Sequence, residues 1–191
     1  MKIRLVLFAI ITLIGAVSAY SQDRRVLAQA QRYSGDTFSV SVDTPKGAHV
    51  YAVKKPTAAV LKAVDTGLTD LFAVARKNGY SRRLNYGDYS IYIAKADRTK
   101  DSAGQYSPDI AVGSAQYAGT IFDQGGYIYV SGMVVANDPC SFLIAEHTKD
   151  MQRISNVVRY EGEHLVLYHN DRRRYAATMD HSKGGAHPIL Q

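Results

Sequence analysis

From Phe38 the chain alternates apolar and polar residues through Ser39-Val40-Ser41-Val42, the period-two pattern of a half-buried strand. Pro45-Lys46-Gly47 turns the chain, and His49 to Val53 predicts a second strand. Pro56-Thr57 opens a long helix, whose apolar positions Val60, Val64, Leu68, Leu71, Phe72 and Ala75 recur at three- and four-residue spacing. Arg76 and Lys77 place positive charge on its last turn, where the helix dipole is negative, and Asn78-Gly79 caps it. Tyr89 to Ile93 reads as a third strand, and Asp97 to Asp109 as the longest loop. Further strands are expected at Ile110–Val112, Tyr117–Phe122 and Tyr127–Val135, the last two flanking an Asp123-Gln124-Gly125-Gly126 hairpin turn. Asn137-Asp138-Pro139 breaks the sheet, and from Phe142 the pattern reads as helical, with interruptions, to about Met179. Residues 22–35 read as a short polar lead, and a Gly-rich tail follows Met179. This order predicts an α+β fold. Its sheet is expected to be mainly antiparallel, with the long helix of the N-terminal half and the C-terminal helices packed on one face.

The first nineteen residues have a different pattern. Lys2 and Arg4 precede an apolar run from Leu5 to Ile14, and Val17-Ser18-Ala19 offers small residues at a cleavage point. These are the parts of a secretory signal peptide, and the run is too short for a membrane-spanning helix of about 20 apolar residues. Residues 1–19 are therefore expected to be a signal and 20–191 a single domain, exported to the periplasm or the medium, with no stable membrane anchor after cleavage. Cys140 is the only cysteine, so no internal disulfide is available, and a domain of this length can bury one core unaided. Losing Lys2 and Arg4 takes two from the formal net charge of +6. The remaining positive residues are scattered in short groups, a mildly basic surface that does not form a nucleic-acid stripe. The expected partner is an unknown protein or peptide, and not a nucleic acid.

Candidate chemistry concentrates late in the chain. His147, His164, His169, His181 and His187 are five of the six histidines. If residues 154–171 form one helix, its buried stripe runs Ile154, Val157, Val158, Glu161, Leu165 and Tyr168, with His164 beside Glu161 and four residues from Tyr160. A buried carboxylate needs a partner, a hydrogen bond or a metal. Two readings follow. Glu161 and His164 belong to a structural hydrogen-bond network in a non-catalytic binding or structural protein, or they build a metal or acid–base site.

The stretch Tyr160-Glu161-Gly162-Glu163-His164 resembles the His-Glu-x-x-His helix of small zincin-type metallopeptidase domains, with Tyr160 standing at the first zinc-ligand position. The resemblance implies a metal-dependent hydrolase, active or degenerate, with zinc as the cofactor. It places Glu161 at the general-base position, beside Tyr160, and His164 at the second zinc-ligand position. Tyrosine is a poor zinc ligand at neutral pH because its phenol titrates near 10. The remaining ligands must come from elsewhere, and His181 and His187 are the candidates, since Gly184-Gly185 lets the backbone fold back. Glu163 and His169 point off that face by helix geometry, Glu163 as a solvated charge and His169 as a surface or cap residue. Asn170-Asp171 looks like the N-cap of a following helix. Cys140 reads as a small apolar residue at a helix start, and Arg172-Arg173-Arg174 as part of a solvated face.

Overall fold

The computed structural model describes residues 23–96, 109–113, 118–120, 123–181 and 186–191. The expected signal segment and most of the loop expected after Asp97 lie outside these residues. The expected polar lead is a helix, α1 (Arg24–Ser34), capped by the Asp23 side chain on the Arg25 N–H and closed by Gly35 at φ 70°. Its apolar residues are few, and only Val26 and Ala30 are buried, which is why its pattern reads as polar. Strands β1 (Val40–Asp43) and β2 (His49–Ala52) follow, then the long helix α2 (Ala58–Lys77), with Thr57 as N-cap. β3 (Tyr89–Ala94), β4 (Ile110–Val112), β5 (Ile128–Val130), β6 (Gly132–Ala136) and β7 (Cys140–Ala145) complete the strands. Two helices end the order, α3 (Met151–Asn170) and α4 (Arg172–Thr178).

The α+β class holds. The main sheet runs β1-β2-β3-β7-β6, and β4 pairs with β5 in a separate ribbon. Three pairings among the described strands are antiparallel, while β2–β3 and β3–β7, at the centre of the main sheet, are parallel. Three expectations need correction. The helical reading from Phe142 fails because Cys140–Ala145 is the strand β7, every residue of it buried. A strand covered on both faces is a continuous apolar run, and such a run carries no period to separate it from a helix. Asn137-Asp138-Pro139 accordingly connects the antiparallel β6 and β7, where a sheet end was expected. Of the strand expected at Tyr117–Phe122, only Ala118–Thr120 is described, and it is turn and bend.

Alternation sorts the central side chains into two layers. Val50, Ala52, Ile91, Ile93, Phe142 and Ile144 face α2 and α3, while Tyr51, Tyr92, Leu143 and Ala145 face α1 and the β4–β5 ribbon. α2 and α3 cross closely because Gly67 lies against Val158 and Gly162 against Leu71, and a Cβ at either position would collide. No helix among the described residues is long and apolar enough to cross a membrane.

Candidate metal centre

Asp150 starts α3 by accepting a hydrogen bond from the Arg153 N–H at 2.9 Å. Asp171 N-caps α4 in the way expected from Asn170-Asp171, accepting from the Arg174 N–H at 2.9 Å. Between these caps the buried face of α3 is displaced from the expected stripe: Ile154, Val158 and Leu165 are buried as expected, while Val157, Glu161 and Tyr168 are only half-buried. Glu163 and His164 are buried along with Ile154, Val158 and Leu165, because α2 packs on one side of this turn and the C-terminal residues 186–191 on the other. Glu163, expected as a solvated charge, is completely inaccessible. The tail that covers Glu163 leaves no periodic signal in the sequence.

That tail is knitted to three helices. Arg174 Nη2 donates to the Ile189 carbonyl at 2.6 Å, Arg159 Nη2 to the Leu190 carbonyl at 2.9 Å, and Asn78 Nδ2 to the Gln191 carbonyl at 3.1 Å. Leu190 is fully buried among the core residues. Arg174 therefore clamps the tail, while Arg172 and Arg173 are exposed as expected for the triplet, with Arg172 over the Tyr168 ring.

The tail carries His187 to His164, and the turn after α4 carries His181 there. The three rings form a near-equilateral triangle, with centroids 5.0 Å apart for His164–His181, 4.9 Å for His164–His187 and 4.8 Å for His181–His187. One ring nitrogen from each lies within 4.8 Å of the others. His164 Nδ1, His181 Nε2 and His187 Nε2 are buried with no hydrogen-bond partner. An orphaned buried acceptor costs about 1–3 kcal/mol, so three together need a common partner. Burial, and then the neighbouring His187 and His181, push the His164 imidazole down to about 3. Burial and His187 also lower His181, with Asp180 opposing. His164 and His181 are thus neutral lone-pair donors at neutral pH, as metal ligands must be. This histidine cluster can coordinate a metal ion such as zinc, which takes neutral imidazole nitrogens as ligands.

Tyr160 stacks on His187, with centroids 5.1 Å apart and planes inclined by 13°. Its place is on the wall of the site, outside the triangle of rings. Glu161 is half-buried, and Gly132 accommodates its methylene chain, since a Cβ there would fall on Glu161 Cγ and Val157 Cγ1. Burial, seconded by Glu163 and opposed by His187, raises the Glu161 carboxyl to about 7. No hydrogen bond joins Glu161 to His164 among the described residues, and the polar contacts that hold the tail centre on Glu163. Glu161 lines two clefts. One, of about 560 Å³, also presents Tyr160, His187, Arg153 and Asn156; the other, of about 290 Å³, presents His164, His181, Met133 and Tyr175.

The remaining candidates lie elsewhere. His169 turns away and meets the Asn137 carbonyl through Nε2 at 2.8 Å, a half-buried tie to the β6–β7 connection where a surface or cap residue was expected. Cys140 is fully buried in β7, and burial pushes its thiol up to about 12, so it is inert as a nucleophile. Sequence reasoning gave Glu163 a solvated role and missed Ile189; together with Arg159 these hold the tail and its histidine in place.

Compared with known proteins, the chain matches no family model, no curated protein and no solved structure. Of the metallopeptidase expectation, the structure carries the coarser part, a histidine cluster that could hold a metal ion.

Proposed function

We propose that this chain is an exported metalloprotein that holds one zinc or similar divalent ion on His164, His181 and His187 and uses it for hydrolysis. The observation that carries the reading is the triangle of imidazoles with three buried, unpartnered nitrogens. Three protein ligands leave a coordination position open, the pattern of catalytic rather than structural zinc sites. A bound zinc would supply a Lewis acid and a water made acidic enough to ionise near neutral pH. Glu161 is the base in this reading. It lines both clefts that reach the histidines, which puts its carboxylate within reach of a water held there. Tyr160 steadies His187 by stacking and offers its phenol to the larger cleft, which would receive a protein or peptide substrate. Export rests on the charged, apolar and small-residue pattern of residues 1–19.

One observation favours a second reading. Two of the three rings belong to a segment that follows α4, so an ion there would also staple that segment to α3, as in a non-catalytic binding protein. Metal analysis comes first. The purified protein should hold or take up one zinc per chain, and His164→Ala should abolish it; a wild-type protein that takes up none overturns the metal reading. Glu161→Gln should keep the zinc and lose hydrolysis across a peptide panel. Wild-type protein that is zinc-loaded yet inactive on every peptide leaves the staple as the function.

A further inference from the structure

We propose that Glu163 is the positioning residue of this centre, fixing the tautomer of His187 and anchoring the backbone that carries it. The inference rests on the metal-binding reading above and adds a residue that the zincin resemblance gives no role. Glu163 is fully buried on α3, next to the ligand His164 in sequence. A carboxyl group so placed is costly unless its surroundings satisfy it. Its Oε2 accepts the Ile189 backbone N–H at 2.7 Å and meets His187 Nδ1 at 3.2 Å. The Arg159 guanidinium pairs with Oε1 at 3.5 Å and donates to the Leu190 carbonyl at 2.9 Å.

The two contacts of Oε2 bear on His187. An oxygen already accepting from Ile189 meets the imidazole as a second donor, which puts the ring proton on Nδ1. A neutral imidazole with Nδ1–H carries its lone pair on Nε2. Nε2 is the nitrogen that is buried and unpartnered. The Ile189 contact, two residues further on, fixes the backbone from which the ring projects, and Tyr160 stacks on the ring. Carboxylate, histidine and metal in series form a recurrent outer-sphere arrangement whose loss typically weakens metal binding by 10–100-fold. A purely structural Glu163 would need neither the ring contact nor a particular tautomer.

The test uses the full protein and zinc alone. In competition with a chromophoric chelator, Glu163→Gln should bind zinc roughly 10–100-fold more weakly than wild type, and its cobalt-substituted form should show a shifted ligand-field spectrum. Circular dichroism checks that the variant is folded. Should it fail to fold, nitrogen-15 NMR of the metal-free wild type decides: His187 is expected as the Nδ1–H tautomer. An Nε2–H tautomer overturns the inference, and so does a folded Glu163→Gln with unchanged zinc affinity and spectrum. A wild type that binds no zinc overturns the metal reading itself, a different result from either.

Discussion

Two twenty-residue helices, α2 and α3, lie against each other over the same face of the sheet, yet they bury different things. α2 buries Val60, Val64, Leu68, Leu71, Phe72 and Ala75, and its one buried acid, Asp65, accepts the Lys46 N–H at 3.1 Å. α3 begins and ends in the same apolar manner but interrupts its stripe with Glu163 and His164, both buried. With length and packing partner matched, the contrast isolates chemistry from packing. On α2 the buried positions build the core. On α3 the middle turn faces a tail that brings two more imidazoles.

The largest effects should separate the helices by what they lose. Leu68→Ala, which truncates a fully buried side chain on α2, should cost about 2–5 kcal/mol in urea denaturation. The zinc affinity of the folded fraction should stay unchanged. His164→Ala should do the reverse, weakening zinc by more than about 100-fold, beyond the range of outer-sphere changes, with a smaller loss in the metal-free protein. If both variants lose stability and zinc affinity in parallel, the division fails.

Next in size is the effect of the metal. At a hundredfold excess over its dissociation constant, zinc should stabilise the fold by about 2.7 kcal/mol, a rise of roughly 5–11 °C in Tm for a chain of this size. Chelation should reverse it, and His187→Ala should show no rise.

The pH dependence of the metal-free protein comes after that. His164 titrates at 6.5 unfolded and about 3 folded, so its contribution to stability is complete above 6.5 and is lost as pH falls toward 3. Glu161 has the opposite sign. Raised from 4.5 to about 7, its contribution is complete below 4.5 and is lost as pH rises through 7. Between about 4.5 and 6.5 the two oppose each other, and below 4.5 only His164 still acts. Glu161→Gln should therefore steepen the loss of stability from pH 6.5 to 4.5, by up to about one proton in the linkage slope. Identical urea midpoint profiles for variant and wild type would count against a raised Glu161. The smallest effect is on the ordinary helix. Thr57→Ala, which removes the α2 cap on the Val60 N–H, should cost about 1 kcal/mol and leave zinc binding alone.

The same two helices show what the sequence could disclose. α2 was legible from cap to cap because its burial is one-sided and its stripe regular. On α3 the stripe suggested Glu161, and the late histidines suggested His181 and His187, but the triangle they form depends on how the chain returns after α4. That return is made by carbonyls of Ile189, Leu190 and Gln191 meeting side chains of three helices. Backbone acceptors have no residue type, so they leave no trace in composition or spacing. Glu163 was hidden for the same reason. β7 was hidden for another: a run buried on both faces has no period to read.

His164 precedes His181 and His187 along the chain, and the tail that brings His187 to it also places Leu190 in the core. A chain stopped short of His187 would have the helix and an incomplete set of ligands. Metal uptake would then mark the completion of folding, and a cobalt spectrum that grows in during refolding should lag behind the formation of helix.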